Sequence, residues 1–434
     1  MQRRAHAVVA LALLALASTV ARADLGLPPW SDPGDLPIPR WAKSVAPHKD
    51  DVAIFAMPNR AEPRRGSLSD TARPTLYGAL RGPGCAGRWL QIGVAAWVCS
   101  DDVEMAADDA PPFARPSALP SRYKDDGLSF HYAFVGPEGA QGFRNLEHAG
   151  EDAPEADFDP GFAVAIVKEA DANGQRWGET RHGAWIALHD LNTVRPLTLH
   201  GEAFREGDTM DVGWVLAEHA ATYADAKAAK ASGVRMRFDM VHRREEQKGP
   251  NGVMVRVSED GKPPEWMRAR DLVHPNISEP PAEVSGKDAT ARWIDVDLAT
   301  QTLVAYEGTR PVYAALVAAG RGPQGSETAT PIGVHRIWVK LLTSSMGNLG
   351  DEDAESHYSI EDVPYVQFFA KGVALHGAFW HHSFGSAHSH GCVNLAPVDA
   401  RWLFDFTGPH LPDGWSAVLP APAVDPGTVV RVRG

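Results

Sequence analysis

Three copies of one short pattern restrict the architecture open to this chain. Tryptophan, an apolar residue, three further residues, aspartate and an apolar residue recur at Trp97–Val103, Trp185–Leu191 and Trp266–Leu272, 88 and then 81 residues apart. Arg88-Trp89 and Arg176-Trp177 precede the first two copies at a fixed distance, and the third lacks the pair. Solenoid units repeat every ~20–50 residues, so these longer periods indicate duplicated small domains. Short strand-like runs broken by glycine and proline surround them, which predicts antiparallel β modules. Tryptophans at a fixed repeat spacing are expected to fill the module cores, with the aspartate closing a turn. A surface for stacking sugars or peptides is the alternative.

The flanks of the repeats divide the chain. Residues 1–23 read as a signal peptide: Arg3 and Arg4 start it, Ala7 to Ala17 is apolar, and Ala21-Arg22-Ala23 is a small-residue cleavage site. The apolar run is short for a bilayer, and no transmembrane segment is expected in the mature chain. A proline-rich lead-in follows at 24–51. The first module is placed at 52–106, a linker and the second module at 107–200, and the third at 201–275. Within the third, the alanine-rich run Ala217 to Ala229 is expected to be helical. A second linker spans 276–290, and the last domain spans 291–434.

Net charge is -13, which argues against nucleic acid and against adhesion to anionic surfaces. Three cysteines in an exported chain leave one unpaired. Cys85 and Cys99 lie within one repeat unit, and their spacing suits a bridge between adjacent strands, worth about 3 kcal/mol on a chain-entropy model. The odd thiol is Cys392. A free thiol in an oxidising compartment is a liability unless its reactivity is used.

The last domain opens on a meander. Trp293 to Leu298 and Leu303 to Tyr306 alternate at period two, and a turn at Glu307 to Arg310 leads into Val312 to Ala318. Gly320 to Gly325 is glycine-rich, yet lacks the lysine and helix of a phosphate-binding loop. Gly333 to Lys340 reads as a strand, Pro397 as the first residue of a helix through Phe406, and Thr428 to Arg433 as a closing strand. Between them, Ala374 to Leu395 holds Cys392 beside Gly391, with His376, His381, His382, His388 and His390 in reach. Thiols act as thiolates, and a nearby imidazole is the usual way to make one. His376 is expected to end a strand, and Gly391 gives the backbone room to turn. His381 and His382 are expected to be exposed.

These residues carry a resemblance. His376-Gly377, a loop, then Ser389-His390-Gly391-Cys392-Val393-Asn394, with Thr330-Pro331-Ile332-Gly333 upstream, resemble the L,D-transpeptidase catalytic domain of YkuD type. The repeats resemble, more weakly, SH3-like domains attached to cell-wall enzymes. The combined implication is a mainly β chain: a C-terminal β-sandwich or barrel domain with one or two short helices, preceded by small SH3-like β-barrel modules. Many members of the catalytic family have arginine where this chain has Asn394, so the partner of a substrate carboxylate is not fixed by the resemblance.

The implied chemistry is acyl transfer. Cys392 attacks the diamino acid carbonyl of a peptidoglycan tetrapeptide stem, expels D-alanine and passes the acyl group to a neighbouring stem, giving a 3→3 cross-link. His376 acts as base and acid, and His390 tunes the thiolate or polarises the substrate. The N–H groups of Gly391 and Cys392 form the oxyanion hole, at about 3 kcal/mol per donor. Ser389, Asn394 and Gly377 position the peptide. No metal or organic cofactor is implied, and carbapenem sensitivity is. The protein is expected to be a monomer in the periplasm or otherwise exported, soluble once its signal is removed.

Alternatives use the same residues. The thioester can pass to water (an L,D-carboxypeptidase) or to a protein amine. A zinc site built from His381, His382, His388, His390 and Cys392 lacks paired-ligand spacing. A papain-like peptidase needs its histidine after the cysteine, and only His410 follows. A non-catalytic wall-binding protein is the last option.

Overall fold

Strands dominate the computed structural model, which describes residues 36–108, 126–150, 153–284, 286, 290–350 and 357–434. The expected signal peptide, the first part of the lead-in and most of the linker from 106 to 120 lie outside these residues. The chain divides into two compact units, Met1–Arg115 with Pro409–Pro426, and Pro116–Gly408 with Gly427–Gly434.

In the first unit, Val52–Phe55 pairs antiparallel with Arg64–Leu68, and Trp89–Gly93 with Ala96–Cys99. Cys85 and Cys99 are joined by a disulfide with Cα atoms 5.7 Å apart, beside the buried rings of Trp89 and Trp97. The unit is discontinuous. Trp415–Val418, from a stretch that the sequence places in the last domain, adds to Arg64–Leu68 as a further strand. Trp415 and Val418 complete the core around Ile54, Leu68, Leu90 and Val98. Gly66 permits this: a Cβ there would sit 2.3 Å from the Ala417 carbonyl. Arg65 is buried and pairs with Asp425 across the same junction.

In the second unit, Ala163–Ala172 and Gln175–Thr180 form a hairpin. Its turn is Asn173-Gly174, both at positive φ, as a two-residue hairpin with the right-handed strand twist requires. The repeat tryptophans Trp177, Trp185 and Trp266 are buried. Single 3₁₀ turns follow the latter two, at Leu188–Asp190 and Ala269–Asp271. The expected helix over Ala217 to Ala229 is absent. His219–Tyr223 is a strand there, paired with Ala231–Met236, and Asp225 closes the next turn by accepting from the Lys227 N–H. Alanine suits a helix, but this run has no apolar stripe at helical period to bury. As a strand it buries Ala220 and Thr222 on one face.

The expected meander forms as Arg292–Asp297, Thr302–Glu307 and Arg310–Ala318. Val429–Arg433 lies parallel to the first of these and antiparallel to Gly333–Arg336. Alternation puts Asp295 on the same side as Arg431 and Arg433, and its buried carboxylate accepts from both, at 2.6 and 2.9 Å. Arg310–Ala318 continues onto Val393–Leu395, which pairs parallel with Val373–Gly377. The latter is bordered by the hairpin of Val339–Gly347 and Ser359–Ala370.

The helix Pro397–Phe406 packs below these strands with Leu403, Phe404 and Phe406 buried. The fully buried Lys340 ends it, its Nζ donating to the carbonyls of Phe404 and Thr407 at 2.5 and 2.8 Å. Those carbonyls are the ones a helix leaves unsatisfied at its C-terminus. Ala163 pairs with Ile360, and the Tyr132 hydroxyl donates to the Asp362 carbonyl, so the second module is built onto the Ser359–Ala370 strand.

Candidate active site

Parallel pairing sets His376 opposite Asn394. Side chains alternate along a strand, so Cys392, two residues before Asn394, shares the face that carries His376. Both line one cavity of about 320 Å³, together with Trp380, Asn394, Ser389 and His390. Cys392 is the free cysteine among the described residues. Its Sγ accepts from the Ala374 N–H at 3.4 Å. Burial pushes the thiol pKa up, and this one N–H opposes the shift.

His376 is buried, with its ring stacked on Trp380 at 5.7 Å between centroids. Its Nδ1 lies 3.1 Å from the Gly377 carbonyl oxygen. A carbonyl only accepts, so Nδ1 carries the proton and Nε2 keeps its lone pair. Burial lowers the ring pKa to about 4. With the thiol raised and the imidazole lowered, the resting pair is neutral. Both shifts favour the thiol over the thiolate expected from the sequence. The Gly377 carbonyl fixes the orientation of the His376 ring.

The turn before the thiol is held from three sides. Gly391 has φ +122°, in the region that favours glycine. Its carbonyl accepts from the Thr330 hydroxyl at 2.7 Å, and that hydroxyl accepts from the Gly320 N–H at 2.8 Å. Thr330 of the upstream motif thus ties the glycine-rich loop to the cysteine turn. Ser389 is buried and donates to the Cys392 carbonyl at 2.5 Å, while the Gly391 N–H donates to Ser389 Oγ at 3.1 Å. Ser389 thus locks the turn while also lining the cavity, and the Gly391 N–H is engaged by its hydroxyl.

His381, expected to be exposed, is 8 % exposed, and burial drops its pKa to about 3. The reason is Asn394, whose buried side chain sits 2.8 Å from His381 Nε2. His381 Nδ1 accepts from the Ser383 N–H at 3.1 Å, so a neutral ring must carry its hydrogen on Nε2. Asn394 therefore presents its carbonyl oxygen to His381, and its amide NH₂ fills the buried position that has no partner among the described residues. His382 and His388 are exposed. His390 is exposed too, stacks on Tyr358 at 6.0 Å, and takes a hydrogen bond at Nε2 from Arg321 at 2.8 Å.

Several lining residues escape sequence reasoning. Phe134 and Gly161 come from the second module, far from the motif. Arg321 lies in the glycine-rich loop, which the sequence tests only as a phosphate binder. The ligands of the zinc alternative do not converge. Among the described residues, the one group of three or more close ligand atoms is Cys85, Cys99 and Asp101, and its two sulfurs are bonded to each other.

Comparison with known proteins places this site within a matched region. The sequence model of the YkuD L,D-transpeptidase catalytic domain matches residues 291–432. No curated protein matches the chain. Among solved structures, a cysteine-to-serine mutant of Enterococcus faecium L,D-transpeptidase is 21% identical, covering 33% of this chain and 50% of that one at TM-score 0.24. An L,D-transpeptidase from Mycobacterium smegmatis is 17% identical over 42% of this chain and 90% of that one at TM-score 0.25. L,D-transpeptidase 3 from Mycobacterium tuberculosis is 16% identical over 45% and 94%, at TM-score 0.26. The alignment spans about half the length of the Enterococcus faecium protein.

Proposed function

Residues 291–432 form an L,D-transpeptidase catalytic domain, and on that premise we propose that the chain cross-links peptidoglycan stems through a thioester on Cys392. The observation that carries this is the free Cys392 thiol in one cavity with His376, whose Nδ1 is held by the Gly377 carbonyl.

The tetrapeptide binds with its diamino acid carbonyl against Sγ. As the C–S bond forms, the thiol proton passes to His376 Nε2, and the Cys392 N–H receives the developing oxyanion. The C–N bond then breaks, the proton goes to the leaving amine, and D-alanine departs. An amine from a second stem attacks the thioester, His376 takes its proton, and collapse returns the proton to Cys392 with a 3→3 amide formed. The cycle uses no cofactor.

Arg3, Arg4 and the apolar run after them support export to the cell envelope. The three strand groups before residue 276 are read as SH3-like modules on their repeated tryptophan–aspartate spacing.

The test is incubation with disaccharide tetrapeptide and mass spectrometry of the products. A dimer lacking one D-alanine is the expected product. Tripeptide alone would move the assignment to a carboxypeptidase. Cys392→Ala is expected to abolish both, and turnover retained in that variant refutes the nucleophile.

A further inference from the structure

Many relatives by resemblance carry arginine two residues after the cysteine, where this chain has Asn394. Asn394 is committed to His381 in the wall of the cavity. The cavity nevertheless contains a guanidinium. Arg321 reaches it from the loop that follows Arg310–Ala318, and its position is fixed from the cysteine side. The Arg321 N–H donates to the Ser389 carbonyl at 3.0 Å, and Gly320 bridges to Ser389. One side-chain N–H bonds to His390 Nε2 at 2.8 Å. No carboxylate pairs with Arg321 among the described residues.

The surroundings have the same bias. In a chain of net charge -13, the described lining of this cavity includes no aspartate or glutamate, while it includes Arg321, His388 and His390. The same lining includes the apolar side chains of Phe134, Met346 and Trp380. A described lining with a cation, no carboxylate and apolar side chains fits a ligand that is mostly uncharged and carries one carboxylate.

We propose that Arg321, steadied by His390, binds a carboxylate of the donor stem. Resting on the transpeptidase reading, this makes Arg321 a specificity residue and His390 its positioning residue. Two donor carboxylates share the chemistry, the terminal one on the leaving D-alanine and one on the diamino acid side chain.

The experiment has two readouts. The first needs no turnover: alkylation rates of Cys392 by iodoacetate and by neutral iodoacetamide are compared in the full chain. Arg321→Gln is expected to lower the iodoacetate-to-iodoacetamide ratio about tenfold or more, the scale of a charge-assisted hydrogen bond. Arg321→Lys should keep most of the ratio. An unchanged ratio in Arg321→Gln overturns the proposal, since a merely structural loss would slow both reagents alike.

The second readout uses tetrapeptides amidated at one carboxylate or the other. The wild type is expected to lose kcat/KM on amidation of the recognised group, and Arg321→Gln to be insensitive to it. The sensitive arm identifies the carboxylate, and equal sensitivity of both proteins in both arms overturns the assignment. A normal ratio effect with no tetrapeptide turnover by the wild type would sink the transpeptidase reading and leave the anion site standing.

Discussion

Replacing Asp399 by asparagine is expected to remove a pH dependence from the stability of the second unit. Asp399 lies in the first turn of the helix Pro397–Phe406 and is fully buried. Its Oδ1 accepts from the Gly201 N–H and from the Tyr313 hydroxyl, each at 2.7 Å, and its Oδ2 has no partner among the described residues. Burial raises the carboxyl from 3.8 to about 6, against the pull of those two donors.

Below the unfolded pKa both states are protonated, and the group costs nothing. Between the unfolded and the folded pKa the unfolded chain ionises in water while the folded chain still holds its proton, and above the folded pKa the buried group is ionised at full cost. The penalty grows to about 3 kcal/mol at neutral pH. Urea unfolding of wild type and Asp399→Asn is therefore followed between pH of about 4 and about 7. The difference in unfolding free energy should change by roughly 3 kcal/mol across that window, in favour of the variant as pH rises. Asparagine places an unpaired NH₂ where Oδ2 was, which costs about 1–3 kcal/mol at every pH. The slope of the difference is thus the diagnostic, not its absolute value. Parallel stability curves for the two proteins would refute the buried-charge reasoning.

Other expectations are briefer. Thr330→Val removes the bonds to Gly320 and Gly391 while keeping the shape, and should lower kcat about tenfold or more with a smaller change in KM, measured by steady-state kinetics. Asp295→Ala removes the carboxylate partner of Arg431 while Arg433 keeps Asp297, and should cost about 1–3 kcal/mol by urea titration. The pH profile of kcat/KM should have its acid limb near His376, at about 4. Iodoacetamide alkylation of Cys392 should climb steadily above neutral pH, because the thiol is raised by burial. A plateau at neutral pH would instead indicate a resting thiolate.

What was legible in the sequence was what short-range chemistry dictates. Proline at the start and Trp402, Leu403 and Phe406 at helical spacing are enough to bound the helix Pro397–Phe406. The meander follows from alternation alone. At the site, the motif was sufficient to bring Cys392 and His376 into one cavity, because a parallel strand pair needs only the two segments that carry them. The departures come from partners distant in sequence. His381 is held in by Asn394, thirteen residues on, as well as by the Phe384 ring. Phe134 joins the cavity only because its module is docked on Ser359–Ala370, a contact with no local trace. Ala217 to Ala229 misled through composition: alanine favours helix in isolation, yet the partner strand Ala231–Met236 decided the outcome.

The late strand Trp415–Val418 has a consequence for biogenesis. During synthesis, the first unit waits for more than three hundred residues before the segment that closes its core emerges. Until then Arg64–Leu68 has an unfilled edge, and the disulfide of Cys85 with Cys99 can secure only a partial structure. A fragment cut to begin at residue 291 would carry the opposite fault, a strand and a tryptophan with no core to enter. Expression of that fragment should improve when Pro409–Pro426 is replaced by a short polar loop joining Gly408 to Gly427.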